Sequence, residues 1–319
     1  MRIQASYVAN LIEYASCIGV SAEVLVNQLN DKEKDLCNPS ETVTREEYLS
    51  VLDALIRISQ DTDFGIHYGG YLNLKALGFV VEISKNASRL EQAVFILQKY
   101  LTETFPLVEL VTEKKKKKYF ISLVSSVKDI NLKRQILNFV FCFVHRELQI
   151  LLPLNGTYEA EMPSGQINLM RELLNVEVVD GVKHQFVFDE AILNIEINKG
   201  RVKDFENLLP QFMILLESGF EDSKIFSSCV RKVILNMCQP ELPNFDRVAA
   251  LFPMSNRTFQ RKLMVEGRSF RKICDDIKYE LSEYLSSGDI MQTKEIAAIL
   301  GYSDASAYLH FLKKRKTHK

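Results

Sequence analysis

Apolar positions recur at three-to-four spacing through the first hundred residues. Val8, Leu11, Ile12, Ala15 and Ile18 predict an amphipathic helix, and Ser21 opens a short second one carrying Val24, Leu25 and Leu29. Thr44-Arg45-Glu46-Glu47 has capping-box spacing, with a hydroxyl and a carboxylate placed to satisfy opposite backbone donors, ahead of Tyr48, Val51, Leu52, Leu55 and Ile58. Ser88-Arg89-Leu90-Glu91 repeats the device before Ala93, Val94, Ile96, Leu97 and Leu101. Between them, the glycines of Asp61-Thr62-Asp63-Phe64-Gly65-Ile66-His67-Tyr68-Gly69-Gly70 predict a tight chain reversal or close packing. The period then shortens. Phe105–Val111 and Tyr119–Val127 read as the strands of a hairpin whose loop is the run Lys114–Lys118, either simply solvated or touching an anionic surface. Asn131–Leu152 and Ser164–Leu174 read as helices, Gln185–Phe188 as a strand and Arg201–Glu217 as a helix, so this region is α+β, helix-rich with a small sheet.

Gly219-Phe220-Glu221-Asp222-Ser223 is the natural linker, giving a first domain over 1–219 and a second over 220–319 that reads as all helix. Ile225–Met237 is amphipathic, and Pro240-Glu241-Leu242-Pro243 stops it. Asn244 can cap a short helix with Val248, Ala249 and Phe252 inward. Pro253-Met254 then forces a turn, and Ser255 caps a second helix, Asn256–Val265, with Phe259 and Leu263 inward. Its other face displays Asn256, Arg257, Gln260, Arg261 and Lys262. Two helices across a tight turn, with a small Ala where the axes cross, form the helix-turn-helix arrangement. The exposed set suits a DNA reader: Arg forks match guanine O6 and N7, Gln matches adenine N6 and N7, and Thr258 and Lys262 can hold phosphates. The solvated polar face of a bundle helix has the same spacing, but a second copy argues against that blander reading. Thr293 can cap a helix holding Ile296, Ala297 and Leu300, Gly301 suits the left-handed position after it, and Ser303 or Asp304 can start another helix with Ala307, Tyr308, Phe311 and Leu312. The two units cover about 244–264 and 293–314. Between them Phe270–Ser287 reads as a stiff helix ~27 Å long, comparable with the ~34 Å between successive major-groove faces on one side of B-DNA.

The length of 319 residues fits two domains, and 47% hydrophobic with 25% charged residues excludes a disordered or low-complexity chain. The net charge of −1 conceals a split: residues 1–220 carry 23 basic and 29 acidic side chains, whereas 221–319 carry 17 and 12. The two halves are thus expected to have different partners. The richest apolar stretch, Ile136–Val144, falls well short of the ~18–20 residues of a membrane span, and Met1-Arg2-Ile3-Gln4 lacks the apolar core of a secretory leader. A cytoplasmic, nucleoid-associated protein with no membrane partner is expected. Cys17, Cys37, Cys142, Cys229, Cys238 and Cys274 are dispersed and read as reduced thiols. An enzyme or DNA-repair protein with an appended reader would need an activated Cys or a catalytic motif, and there is no C-x-x-C, G-x-S-x-G, Walker A, G-x-G-x-x-G or H-E-x-x-H. No catalytic residue, cofactor or metal is assigned.

The stretches 248–263, 267–270 and 295–308 resemble the AraC/XylS family of bacterial transcriptional regulators, with order, linking helix and both turns fitting over about residues 225–316. The resemblance implies two helix-turn-helix units that read adjacent major grooves of double-stranded promoter DNA, with RNA polymerase as a further partner of an activator. By position in the motif, Arg257, Gln260 and Arg261, flanked by Asn256, would read bases in the first unit, and Ala305, Ser306 and His310 lie at the corresponding second-unit positions. Departures from the family pattern matter. Pro253 stands where a small Gly is usual in the first turn, His310 where Arg is usual, and Ala305 cannot make a polar base contact. The second unit is therefore expected to act mainly as a backbone anchor. Lys313 and Lys314, in the run Lys313-Lys314-Arg315-Lys316, would hold phosphates unless that run is a frayed basic tail. The chain stops at Lys319, short of the Gly-x-x-Pro and final helix usual in the family, which predicts weaker packing of the last helix. Residues 61–69, 77–79 and 88–93 resemble the arabinose-binding-type domain of the ornithine-regulator branch. That implies a sensing or dimerisation domain of mixed α+β structure, not a cupin barrel. A small-molecule effector and a homodimer are expected on that basis; the alternative is an effector-independent regulator controlled by its abundance or by a protein partner. His67 and Tyr68 could line a pocket, or simply pack.

Overall fold

The computed structural model describes residues 1–71, 74–152, 158–163, 165, 167–174, 177–218, 225–238, 241–252, 254–287 and 291–316. The linker residues 219–223, Ser164, Pro240 and Pro253 of the sequence reading lie outside them. The chain divides into two compact units, Met1–Val202 with Ala250–Pro253, and Lys203–Ala249 with Met254–Lys319.

In the first unit, β1 (Arg2–Gln4) pairs antiparallel with β2 (Thr42–Thr44), enclosing α1 (Ser6–Cys17) and α2 (Ala22–Val26) in sequence. The capping box at the start of α3 (Arg45–Ser59) is present in both directions: Thr44 Oγ1 accepts from the Glu47 N–H at 3.1 Å, and Glu47 Oε2 accepts from the Thr44 N–H at 2.8 Å. The glycine-rich segment is a helix, α4 (Phe64–Tyr71), and its glycines serve close packing. A Cβ on Gly65 would sit 2.1 Å from the Gln135 carbonyl oxygen, and one on Gly69 2.7 Å from Cys142 Cβ. After α5 (Leu74–Asn86), the cap of α6 (Leu90–Thr104) differs from the sequence expectation. Arg89 occupies the cap position, so the third helical residue is Gln92, whose Oε1 accepts from the Ser88 and Arg89 N–H groups at 2.8 and 3.2 Å.

The lysine run is not a five-residue loop. β3 (Val108–Lys115) and β4 (Lys118–Ser125) take three of its lysines, and the reversal is made by Lys116 and Lys117 alone, at φ 50° and 63°. Two successive positive-φ residues give the twist that a two-residue hairpin needs. Then come α7 (Ile130–Leu151), capped by Asp129, β5 (Glu159–Pro163), α8 (Ile167–Leu174), β6 (Val178–Gly181) and β7 (His184–Asp189). The sheet order is β3-β4-β7-β5-β6, antiparallel except at β5–β6. α7 is buried along most of its length and packs against α4 and against β4 and β7. The unit is α+β, as its sequence implies. Among the described residues no helix is long and apolar enough to cross a membrane.

The remainder is helical: α9 (Lys199–Ser218), most of which falls with the second unit, α10 (Phe226–Asn236), α11 (Phe245–Ala249), α12 (Asn256–Val265), α13 (Phe270–Ser287), α14 (Thr293–Ile299) and α15 (Ala305–Lys316). None of the six cysteines is in a disulfide; four are buried, Cys37 is exposed and Cys274 is half-buried.

Candidate nucleic-acid interface

Two short-turn helix pairs, α11–α12 and α14–α15, flank α13. Asn244 Oδ1 accepts from the Arg247 N–H at 3.0 Å and opens α11. Ser255 Oγ accepts from the Thr258 N–H at 3.3 Å and opens α12, as its place before the helix requires. Phe259 and Leu263 turn inward. Phe259 meets Phe226 and Phe245 edge-on at 5.1 and 5.5 Å, and Phe245 in turn meets Phe270 at 5.5 Å, so four rings fasten α10, α11, α12 and α13 together.

With those two residues committed to the core, helical geometry turns Asn256, Arg257, Gln260 and Arg261 outward. All four are exposed, and none bonds to another described residue. This is a row of fork and amide donors one and two turns from a helix N-terminus. Thr258 is half-buried with its hydroxyl 3.0 Å from that of Ser255, and Lys262 is exposed with its ammonium 5.2 Å from the Phe226 ring centre. At the far end of α12, Glu266 accepts from the Phe226 and Ser227 N–H groups, both at 2.8 Å. Partial burial pushes its carboxyl up, but those bonds and the Lys262 charge outweigh it and hold the group ionised below its ordinary range. α12 is thereby fixed against the start of α10.

In the second pair the first cap differs from the expected residue, and the second is one of the two candidates. Gln292, not Thr293, precedes α14, and Glu295 Oε2 accepts from the Gln292 N–H at 2.7 Å; Thr293 is the first helical residue. α14 ends where Gly301 takes φ 74°, with Tyr302 N–H bonded to the Ala297 carbonyl at 2.9 Å, the left-handed stop that glycine makes cheaply. Asp304 rather than Ser303 caps α15, its Oδ1 accepting from the Ala307 N–H at 2.7 Å. Ser306, His310, Lys313 and Lys314 are exposed and Ala305 is half-buried. Leu309 stands among them, 53% exposed. Tyr308 is buried and its hydroxyl lies 2.5 Å from Ser282 Oγ on α13.

α13 also collects charge. Asp276 accepts from Arg268, ahead of the helix, at 3.4 Å and from Arg315 of α15, while Arg231 of α10 reaches Glu280 at 2.6 Å. Arg315 is therefore not a free member of a basic tail. The Lys278 ammonium sits 4.5 Å from the Tyr302 ring centre, and burial lowers its pKa. Burial pushes the Cys274 thiol up to about 12, so it stays protonated. Ser269 Oγ accepts from the Lys272 N–H at 3.2 Å, which opens α13 beside the exposed Arg268, Arg271 and Lys272. A Ser cap flanked by cations was the signal for these residues.

A family model described as the arabinose-binding domain of AraC transcription regulator, N-terminal, matches residues 19–196. The chain belongs to the AraC family of transcription regulators. Similar proteins include an uncharacterised HTH-type transcriptional regulator of Mycobacterium tuberculosis and one of Mycobacterium bovis, each 23% identical over 320 residues, covering 95% of this chain and 91% of theirs. The crystal structure of the transcriptional regulator CdpR from Pseudomonas aeruginosa aligns over 93% of this chain and 95% of its own, at 18% identity and a TM-score of 0.40. As a member of the AraC family, the chain is a transcriptional regulator whose first unit carries the arabinose-binding domain.

Proposed function

We propose that this AraC-family chain is a sequence-specific DNA-binding regulator in which α11–α12 and α14–α15 act as two helix-turn-helix units, spanning about 244–264 and 293–314. The observation that carries the reading is the outer face of α12, where Arg257, Gln260 and Arg261 are exposed and unbonded within the described chain above a fully packed inner face. Such side chains match base edges in a major groove, while Thr258, Lys262, Lys313 and Lys314 supply phosphate contacts. Asn256 extends the reading row, and Ser306 and His310, with Ala305 alongside, are the second unit's base-facing positions. Affinity comes largely from phosphates and falls steeply with salt. With only 17 basic against 12 acidic residues over 221–319, two readers, or two copies of the chain, are the expected route to useful operator affinity. RNA polymerase is the partner if the output is activation. The first domain, over about 1–219, acts as an effector-sensing or dimerisation domain, biasing the chain towards a DNA-competent state by binding a small molecule better in that state.

Genome-wide mapping of fragments retained by the purified full-length protein tests this. The expected result is a recurrent motif of two short elements about 10 bp apart, one turn of the duplex. Retained fragments that share no motif would overturn sequence-specific reading.

A further inference from the structure

In the first unit α1, α4, α6 and α7 border a pocket of about 250 Å³ whose wall is aromatic: Tyr7, Tyr68, Tyr100, Phe105, Phe139 and Phe143. Neighbouring rings are in contact, Tyr7 with Phe105 at 4.5 Å, Phe105 with Phe139 at 5.6 Å and Phe139 with Tyr68 at 5.0 Å between centres. The outer rim is the loop between α2 and β2, where Cys37 and Pro39 are exposed. Tyr68 thus lines a pocket; His67 is not among the lining residues and sets its Nδ1 2.7 Å from Asp61.

Two features of the wall select its occupant. None of the described residues lining the pocket carries a charge, so an ion would leave water with no counter-charge to meet it, whereas an uncharged molecule gives up little. The second feature is the Tyr68 hydroxyl. Tyr68 is 5% exposed, yet this hydroxyl has no hydrogen-bond partner among the described residues. Burial first, and then Tyr7, Glu13 and Tyr14, hold the phenol well above its ordinary range, so it stays an O–H donor. Tyr7, itself a wall residue, outweighs Glu13 and Tyr14, which do not line the pocket, and this puts the hydroxyl on the pocket side of its ring. The Tyr7 hydroxyl is by contrast engaged, 3.1 Å from Thr104 Oγ1. A buried donor left unpaired is costly, and a phenylalanine would fill the same place in the wall. An incoming acceptor recovers that cost. An apolar cavity of ~150 Å³ holds one benzene ring, so this pocket has room for a single ring with a short substituent, and its ring walls favour an aromatic body through offset and edge-on contacts.

We propose that this pocket is the effector site, and that it takes a small, uncharged, single-ring aromatic molecule offering a carbonyl or ether oxygen to the Tyr68 hydroxyl. The proposal rests on the reading of the first domain as a sensor. Calorimetry and thermal shift on the full-length protein test it with molecules of closely similar shape: acetophenone, methyl benzoate and benzamide as neutral acceptors, benzoate and benzamidinium as anion and cation, and α-methylstyrene as the match without an acceptor. At least one neutral acceptor should bind saturably, at least tenfold more tightly than either ion and about fivefold or more above α-methylstyrene. Tyr68→Phe keeps the ring and removes the donor. It should bring that acceptor down to the affinity of α-methylstyrene, leave α-methylstyrene itself unchanged and leave the free protein as stable as before. Equal binding of an ion, undiminished binding to the Phe variant, or binding of no neutral acceptor overturns the proposal, and the first and third of these need no variant to fold. Saturation with the acceptor should also change affinity for a mapped DNA site; binding that leaves this affinity unchanged overturns the effector role. A protein that binds the acceptor but shows no shared DNA motif defeats the regulatory reading and leaves the ligand class of the pocket standing; the converse defeats only the pocket.

Discussion

The two helix pairs are built to one plan and expose different chemistry. In both, a side-chain cap opens the second helix, Ser255 for α12 and Asp304 for α15, and an inward aromatic, Phe259 or Tyr308, anchors it. On α12 Arg257, Gln260 and Arg261 face outward and make no side-chain bond to another described residue. On α15 the corresponding face offers Ala305, Ser306, Leu309 and His310, and its arginine, Arg315, is drawn back to Asp276 on α13. Duplicating a fold element thus does not duplicate its chemistry. On the DNA-binding reading, the first pair discriminates sequence and the second chiefly holds the backbone.

The largest effect that bears on this contrast is structural. Phe259 is 0% exposed and joins rings from α10 and α11, so Phe259→Ala should cost ~3–5 kcal/mol and loosen the first pair before the second. Denaturant unfolding followed by hydrogen exchange would show it; exchange rising first in α14–α15 would mean that the second pair depends on the first. Next, Arg261→Ala should weaken binding to a mapped site by ~1–3 kcal/mol and relax the preference at one base pair, while His310→Ala changes affinity by less than about 0.5 kcal/mol. Equal losses from the two variants would abolish the division between reader and anchor.

What was legible in the sequence was what acts over three or four residues. The Thr44 box, the Asn244 and Ser255 caps and the Gly301 stop are local contracts between a side chain and nearby backbone, so residue type and spacing suffice. The α12 face was readable because Phe259 and Leu263 fix which side is inward. β1, β2, β5 and β6 escaped notice because three to five residues carry too little alternation, and their strand character comes from partners distant in the chain. The lysine run reads as one solvated loop because two lysines at positive φ carry no turn signature. Arg315 and Asp276 are separated by 39 positions, and nothing in a basic tail announces that one member is committed elsewhere.

The second pair can be loosened by a single atom. Tyr308→Phe removes the hydroxyl that meets Ser282 Oγ and leaves that serine buried without this partner, which should cost about 1 kcal/mol in stability with little change in base preference. Thermal unfolding alongside site titration separates the two; altered base preference would show that α15 reads sequence after all.

The smallest expected effect gives the sharpest test of the anchor. Asp276 holds Arg268 and Arg315 through partly exposed ion pairs, each with a contribution of only ~0.2–1 kcal/mol, so Asp276→Asn should barely change stability. It also frees two arginines and removes one negative charge from the basic module. If Arg315 is withheld from DNA in the native protein, its release should add a phosphate contact. Affinity for duplex of unrelated sequence would then rise, and the slope of log K against log salt would steepen by about 0.9. Discrimination between the mapped site and unrelated duplex should fall in step, because the added contact carries no sequence information. An unchanged salt slope would mean that Arg315 either already reaches the phosphates or never can, and the contrast between the pairs would then rest on α12 alone.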